Sequence, residues 1–191
     1  MVPKNQLQFP DRKTGLTATD KPSTTLEMFC PSKSSLLLCF LLASTGIHAQ
    51  TKVDCIIIQK KARTMELMRA GQVLKTYKIA LGGEPVGAKT MQGDHRTPEG
   101  DYVINSRNTH SQFHRSLHIS YPNAADRERA RKLGVAPGGD VYIHGLPNGY
   151  GFIGAAHRAR DWTDGCIAVT DQEIEEIWKL VDDGTPVEIR P

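Results

Sequence analysis

The stretch Thr163-Asp-Gly-Cys-Ile-Ala-Val-Thr-Asp-Gln-Glu-Ile-Glu-Glu-Ile-Trp-Lys-Leu-Val181 decides how the chain is read. Its second half is helical by pattern. Ile174, Ile177, Trp178 and Val181 recur at i, i+3, i+4 and i+7, and Thr170 with Glu173 has the spacing of a capping box. The helix predicted over Asp171 to Asp183 is closed by Gly184, and Pro186-Val-Glu-Ile-Arg190 follows as a strand. The first half sets a cysteine directly after a glycine, in the approach to that helix.

Upstream the pattern turns to strands. Cys55-Ile-Ile-Ile-Gln59, Thr64-Met-Glu-Leu-Met-Arg69 and Val73-Leu-Lys-Thr-Tyr-Lys-Ile79 read as a β-meander, with Ala70-Gly71 as one of its turns. Asp101 to Asn105, Ser116 to Ser120 and Asp140 to His144 add three more. Ala124 to Leu133 has good helix propensity and Gly134 to end it. Leu146 to Gly165 is predicted to be the longest irregular stretch, and loops of that length in compact domains tend to be functional. Residues 53–191 therefore read as a single β-rich domain, mostly β and α+β in detail, interrupted by two helices.

The first part of the chain is different in kind. Residues 1–27 are polar, without apolar periodicity, and are expected to be disordered. Met28-Phe-Cys-Pro-Ser-Lys, the apolar run Leu36 to Ala43 and the small-residue ending Ser44 to Gln50 have the order of a signal peptide over residues 28–49, cleaved after Ala49. Because such a leader works from an exposed N-terminus, Met28 is the expected start and residues 1–27 a misassigned upstream extension. The apolar run is far below the roughly 20 residues needed to cross a bilayer, so no stable membrane span is expected after cleavage. Export to the periplasm or cell envelope follows.

With 24 Lys plus Arg against 21 Asp plus Glu, the formal charge is only +3, and no stretch concentrates the basic residues as a nucleic-acid binder would. Partner choice then rests on a local site. Cys30 and Cys39 leave with the leader, so Cys55 and Cys166 are the thiols of the expected mature chain.

Cys166 stands where an acyl-transfer nucleophile belongs, since the preceding glycine lets a substrate carbonyl approach backbone N–H groups. A thiol near pKa 8.5 needs a base or a positive neighbour, and His144, at a strand end before Gly145, is the candidate base. Taken singly, a cysteine is more often a core residue and a strand-end histidine more often structural. Two other readings stay open at this level. One is a zinc site using Cys166 with His144 or His157, or the His110 and His114 pair, although ligands usually come in closer sets and no metal or cofactor is expected. The other is a non-catalytic envelope protein with a Cys55–Cys166 disulfide.

The joint pattern alters the balance. Tyr142-Ile-His-Gly145 followed by Thr163-Asp-Gly-Cys166 resembles the signature of the L,D-transpeptidase catalytic domain, the YkuD-type domain. The resemblance runs from about Val53 to Pro191 and includes Gly93-Asp-His-Arg-Thr-Pro-Glu-Gly100 and the terminal Gly184-Thr-Pro-Val-Glu-Ile189. It implies a β-sandwich with a short middle helix and one capped helix after the cysteine. It further implies Cys166 as nucleophile, His144 as proton acceptor, Gly145 orienting the imidazole through its carbonyl, and Gly165 with Cys166 lending N–H groups to an oxyanion hole. Thr163 and Asp164 would shape substrate binding.

The implied reaction is attack on the bond between diaminopimelate and D-alanine in a peptidoglycan stem peptide, giving a thioester that an amine resolves. With water as acceptor the same residues make a carboxypeptidase or a cross-link hydrolase. The sequence departs from the family pattern at Asp164, where His is common, at Ala168, where Asn or Arg is common, and in a slightly long interval from His144 to Cys166. Like-charge logic has Asp164 raise the thiol pKa unless Arg158, Arg160 or His157 offsets it. Trp162 and Tyr150 are candidate walls of the groove, Arg96 a candidate carboxylate binder, and His118 faces away from Leu117 and Ile119.

Overall fold

The computed structural model describes residues 52–191. The expected leader and the stretch before it lie outside the described residues. Eight strands run in the order β3-β2-β1-β8-β4-β5-β6-β7, with β1 Cys55–Gln59, β2 Thr64–Arg69, β3 Gln72–Lys78, β4 Gly100–Asn108, β5 Ser116–Ile119, β6 Tyr142–His144, β7 Ile167–Ala168 and β8 Pro186–Arg190. The helices α1, Ala124–Leu133, and α2, Asp171–Leu180, fall between strands.

Strand β4 belongs to two sheets. Gly100 to Val103 pair antiparallel with β8, whereas Ile104 to Asn108 pair with β5, and the register slips between Ile104 and Ser106 where the ribbon turns from one sheet to the other. Alternation along β1, β2, β4, β5 and β8 supplies the core between them: Ile56 and Ile58, Met65 and Leu67, Tyr102 and Ile104, Leu117 and Ile119, Val187 and Ile189 are all buried. Ile174 and Ile177 bring α2 onto the same cluster. The mostly-β architecture is as the sequence pattern predicts.

The helices begin as the sequence predicts. Thr170 accepts from the Glu173 N–H at 3.2 Å while Glu173 Oε2 accepts from the Thr170 N–H at 2.9 Å. α1 starts and stops at the predicted residues, with Gly134 at φ +68° as its left-handed cap. Two corrections apply. α2 ends at Leu180, not near Asp183, because Val181 turns extended to bury its side chain, and Arg107 donates to the Trp178 and Val181 carbonyls. The stretch Leu146 to Gly165 is not wholly irregular. It holds 3-10 turns over Gly151–Ala159, broken at Gly154, whose φ of +50° and ψ of −136° suit glycine alone.

The aperiodic stretch from Gly82 to Gly100 is ordered by a buried cation. Lys60, 2% exposed, uses all three ammonium protons, on Gly87 O at 2.6 Å, Thr97 O at 3.0 Å and Glu99 Oε1 at 2.7 Å. Lys60→Met should cost about 3 kcal/mol, since it leaves a half-buried carboxylate and two carbonyls unpaired. Urea titration of the variant against the parent measures this, and an unchanged midpoint would contradict it.

Candidate active site

Parallel pairing of β6 with β7 sets Ile143 beside Ile167 and His144 beside Ala168. Side chains two residues apart on a strand share a face, so Cys166 and His144 project to the same side of the sheet. Both line one cavity of about 420 Å³, together with Asn108, Phe113, Ser116, Asp140, Tyr142, Trp162, Thr163 and Asp164.

The cysteine loop is held by its own threonine. Thr163 Oγ1 accepts the Gly165 N–H at 3.1 Å and donates to the Cys166 carbonyl at 2.7 Å. Gly165 has φ +132°, and a Cβ there would lie 2.6 Å from the Arg96 carbonyl, so no other residue fits. Gly165 was expected to lend its N–H to an oxyanion hole, yet that N–H is engaged by Thr163, which leaves the Cys166 N–H as the candidate donor. The buried Thr163 is thus chiefly a loop staple. Asp164 projects outward, 91% exposed, and bonds His95 Nδ1 at 2.8 Å.

His144 is 3% exposed. Its Nδ1 donates to the Gly145 carbonyl at 2.7 Å, which fixes the tautomer and leaves Nε2 as the acceptor. The ring lies 4.5 Å from Phe113 and 5.9 Å from Trp162, the latter edge-on. Gly145 must be glycine because a Cβ would sit 2.7 Å from Asp171 Oδ1, the oxygen that accepts the Leu146 N–H at 2.8 Å. The first residue of α2 therefore pins the turn that carries His144.

Burial lowers the His144 pKa to about 4; the Gly145 carbonyl opposes this, and a charge on His157 would add to it. The Cys166 thiol is pushed up, by burial first and then by Asp164 and Asp140, against the Tyr142 backbone N–H and Lys89, which pull it down. Its Sγ donates to the Asp140 carbonyl at 3.8 Å. The expected offset from Arg158 or Arg160 is not what operates: Arg158 pairs with Glu173, and Arg160 lines a second, largely apolar cavity of about 450 Å³. His157, itself kept neutral chiefly by burial and next by Arg158, accepts from Trp162 Nε1 at 3.4 Å.

Trp162 walls both cavities, whereas Tyr150 belongs only to the second. Arg96 contributes mainly backbone, with its guanidinium toward Gly87. His118 does face away from the core, bonding Asn105 at 2.5 Å. Cys55 and Cys166 are both free thiols, so the disulfide reading is overturned. Among the described residues no group of three or more His, Cys, Asp or Glu is placed to hold a metal ion. His110 bonds Thr109 and His114 bonds Glu175. Phe113 and Lys89 carried no signal in the sequence, for each lies in an aperiodic stretch and comes to the site only by folding, whereas Asp140 was read only as the start of a strand.

Residues 54–189 match the family described as the L,D-transpeptidase catalytic domain, YkuD. The chain belongs to this family. It is 32% identical over 133 residues to YafK of Escherichia coli K12, itself named only provisionally as an L,D-transpeptidase, covering 66% of this chain and 46% of that protein. The chain thus spans about half the length of the curated relatives it matches. In fold it is similar to the helical cell shape determining protein Pgp2 of Campylobacter jejuni, at 23% identity and TM-score 0.56, covering 73% of this chain and 48% of that one. Bd1075 of Bdellovibrio bacteriovorus is similar at 20% identity and TM-score 0.52, over 73% and 48%. Membership of the L,D-transpeptidase family implies a cysteine-dependent enzyme domain.

In this L,D-transpeptidase domain the depressed His144 pKa carries a stability consequence. The unfolded chain takes up the imidazole proton near pH 6.5 and the folded chain only near 4, so stability is complete above 6.5 and falls as pH drops through that window. Wild type should lose about 3 kcal/mol more than His144→Gln between pH 7 and pH 4. Urea titrations at the two pH values measure the difference, and parallel losses would contradict it.

Proposed function

We propose that this chain is an exported peptidoglycan L,D-transpeptidase with Cys166 as nucleophile and His144 as general base. The observation that carries the reading is the convergence of a neutral, tautomer-fixed His144 and the Cys166 thiol on one cavity through the β6–β7 pairing. At neutral pH the imidazole is unprotonated and the thiol protonated, so the resting pair is neutral and the proton moves as attack proceeds.

In the first half-reaction His144 Nε2 takes the thiol proton while Sγ bonds to the carbonyl carbon between the L-centre of diaminopimelate and D-alanine. Negative charge on the carbonyl oxygen meets the Cys166 N–H. Collapse breaks the C–N bond, His144 returns the proton to the departing amine, and a thioester remains on Cys166. An acceptor amine then attacks the thioester, gives a proton to His144 and forms the cross-link as the thiol is regenerated. Asp164 and Asp140, 91% and 81% exposed, line the cavity and in this reading would meet substrate.

That exposure also favours a second reading, in which water resolves the thioester and the enzyme is a carboxypeptidase or cross-link hydrolase. The order of residues 28–49 supports export, and among the described residues no helix is long and apolar enough to cross a membrane. Incubated with tetrapeptide-stem muropeptides, the protein should release terminal D-alanine and form new cross-links, and Cys166→Ala should lower turnover at least about a thousandfold. Mass spectrometry of the products separates the outcomes. Release without cross-links selects hydrolysis, and equal turnover in both proteins overturns the assignment.

A further inference from the structure

The segment Lys89 to Gly100 supplies none of the groups in the proposed reaction, yet it closes the cysteine loop from behind. Arg96 O abuts Gly165, and His95 bonds Asp164. Within this wall lies a second buried lysine. Lys89 is 4% exposed and its Nζ donates to Asp94 Oδ1 at 2.7 Å and to Met91 O at 3.2 Å. Asp94 is itself fixed by the N–H groups of Thr90, Met91 and Arg96.

The path of the Lys89 stem is set by two glycines. Its Cε lies 3.5 Å from where a Cβ on Gly138 would be, and its Nζ 3.8 Å from where a Cβ on Gly165 would be. Gly138, at φ +79°, precedes Asp140, whose carbonyl accepts the Cys166 thiol, and Gly165 precedes Cys166 itself. One alkyl chain thus passes between the two loops that bound the sulfur and ends with its charge behind the Gly165-Cys166 peptide. A buried ion pair adds little to stability over a well-packed apolar pair of the same size, so a charge at this place calls for another account.

We propose that Lys89 is a positioning residue for Cys166, a buried positive charge held by Asp94 behind the Gly165-Cys166 peptide that favours the anionic sulfur. The proposal rests on the reading of Cys166 as nucleophile. The groups facing the sulfur are the carboxylates of Asp164 and Asp140, the backbone N–H of Tyr142, neutral His144 and Lys89. The two carboxylates stand largely in solvent, where water and salt screen them, while Lys89 acts through protein. Burial alone would raise the Asp94 pKa, but Lys89 and the three N–H groups bring it down to about 2, so Asp94 stays charged and partly balances the lysine.

The test reads the thiol directly, by the rate of iodoacetamide alkylation of Cys166 in the full chain against pH, with peptide mass mapping to separate it from the other cysteines. Lys89→Met should slow alkylation at pH 7.5 about threefold to tenfold and move its midpoint to higher pH. Asp94→Asn keeps the lysine and removes its balancing charge, so it should speed alkylation. Opposite shifts are the signature of charge. A Lys89→Met profile identical to wild type overturns the proposal, as do shifts of the same sign in both variants, which would report only a loosened loop. Should Lys89→Met fail to fold, Asp94→Asn decides, with faster alkylation supporting the proposal and equal or slower alkylation overturning it. Alkylation needs no turnover, so opposite shifts in a protein inert toward muropeptides would sustain the role of Lys89 while removing the proposed role of Cys166.

Discussion

The short pairing of Ile167–Ala168 is the constraint on which the site depends. On one side β7 runs parallel to β6, and on the other the chain leaving β3 crosses to meet it, with Ala80 and Ala168 exchanging hydrogen bonds at 3.0 and 2.9 Å. Gly83 then donates to the Thr163 carbonyl at 3.0 Å. Both ends of the strand ribbon thereby meet at the residues flanking the cysteine. A sheet edge that would otherwise expose unpaired backbone is closed, and the closure fixes the face to which Cys166 points.

Two buried ammonium groups stabilise the wall behind it. Lys60 gathers the carbonyls of Gly87 and Thr97 with Glu99, and Lys89 joins Met91 to Asp94. Both carry a desolvation cost, which Lys60 offsets by satisfying two loop carbonyls and a carboxylate at once, whereas Lys89 meets one carbonyl and Asp94. On the opposite side α2 does comparable service, since Asp171 at its first turn binds the Leu146 N–H and excludes any side chain at Gly145. The base is thus oriented by a helix and the nucleophile by a loop of buried charge.

Much of this was legible in the sequence because it was periodic or joint. Short β-branched or alternating runs between turn signals located every strand of the described residues but the two-residue β7, and the Thr170/Glu173 box located α2 to the residue at its start. Tyr142-Ile-His-Gly145 with Thr163-Asp-Gly-Cys166 singled out the pair that the sheet brings to one cavity. What stayed hidden lacks a local signal. The 3-10 turns over Gly151–Ala159 are short and broken at Gly154, and Phe113 and Lys89 reach the site through long-range packing. The Gly165 N–H was misread for a related reason: whether a backbone donor is free depends on where the Thr163 hydroxyl turns, which residue order does not state.

The most direct measurement is intact-protein mass spectrometry of the chain quenched in acid during turnover of a tetrapeptide-stem muropeptide, followed by peptide mapping. The account predicts a thioester adduct, lacking the terminal D-alanine, on Cys166 and absent from Cys166→Ala. Turnover with the adduct on another residue, or turnover that persists in Cys166→Ala, would contradict it.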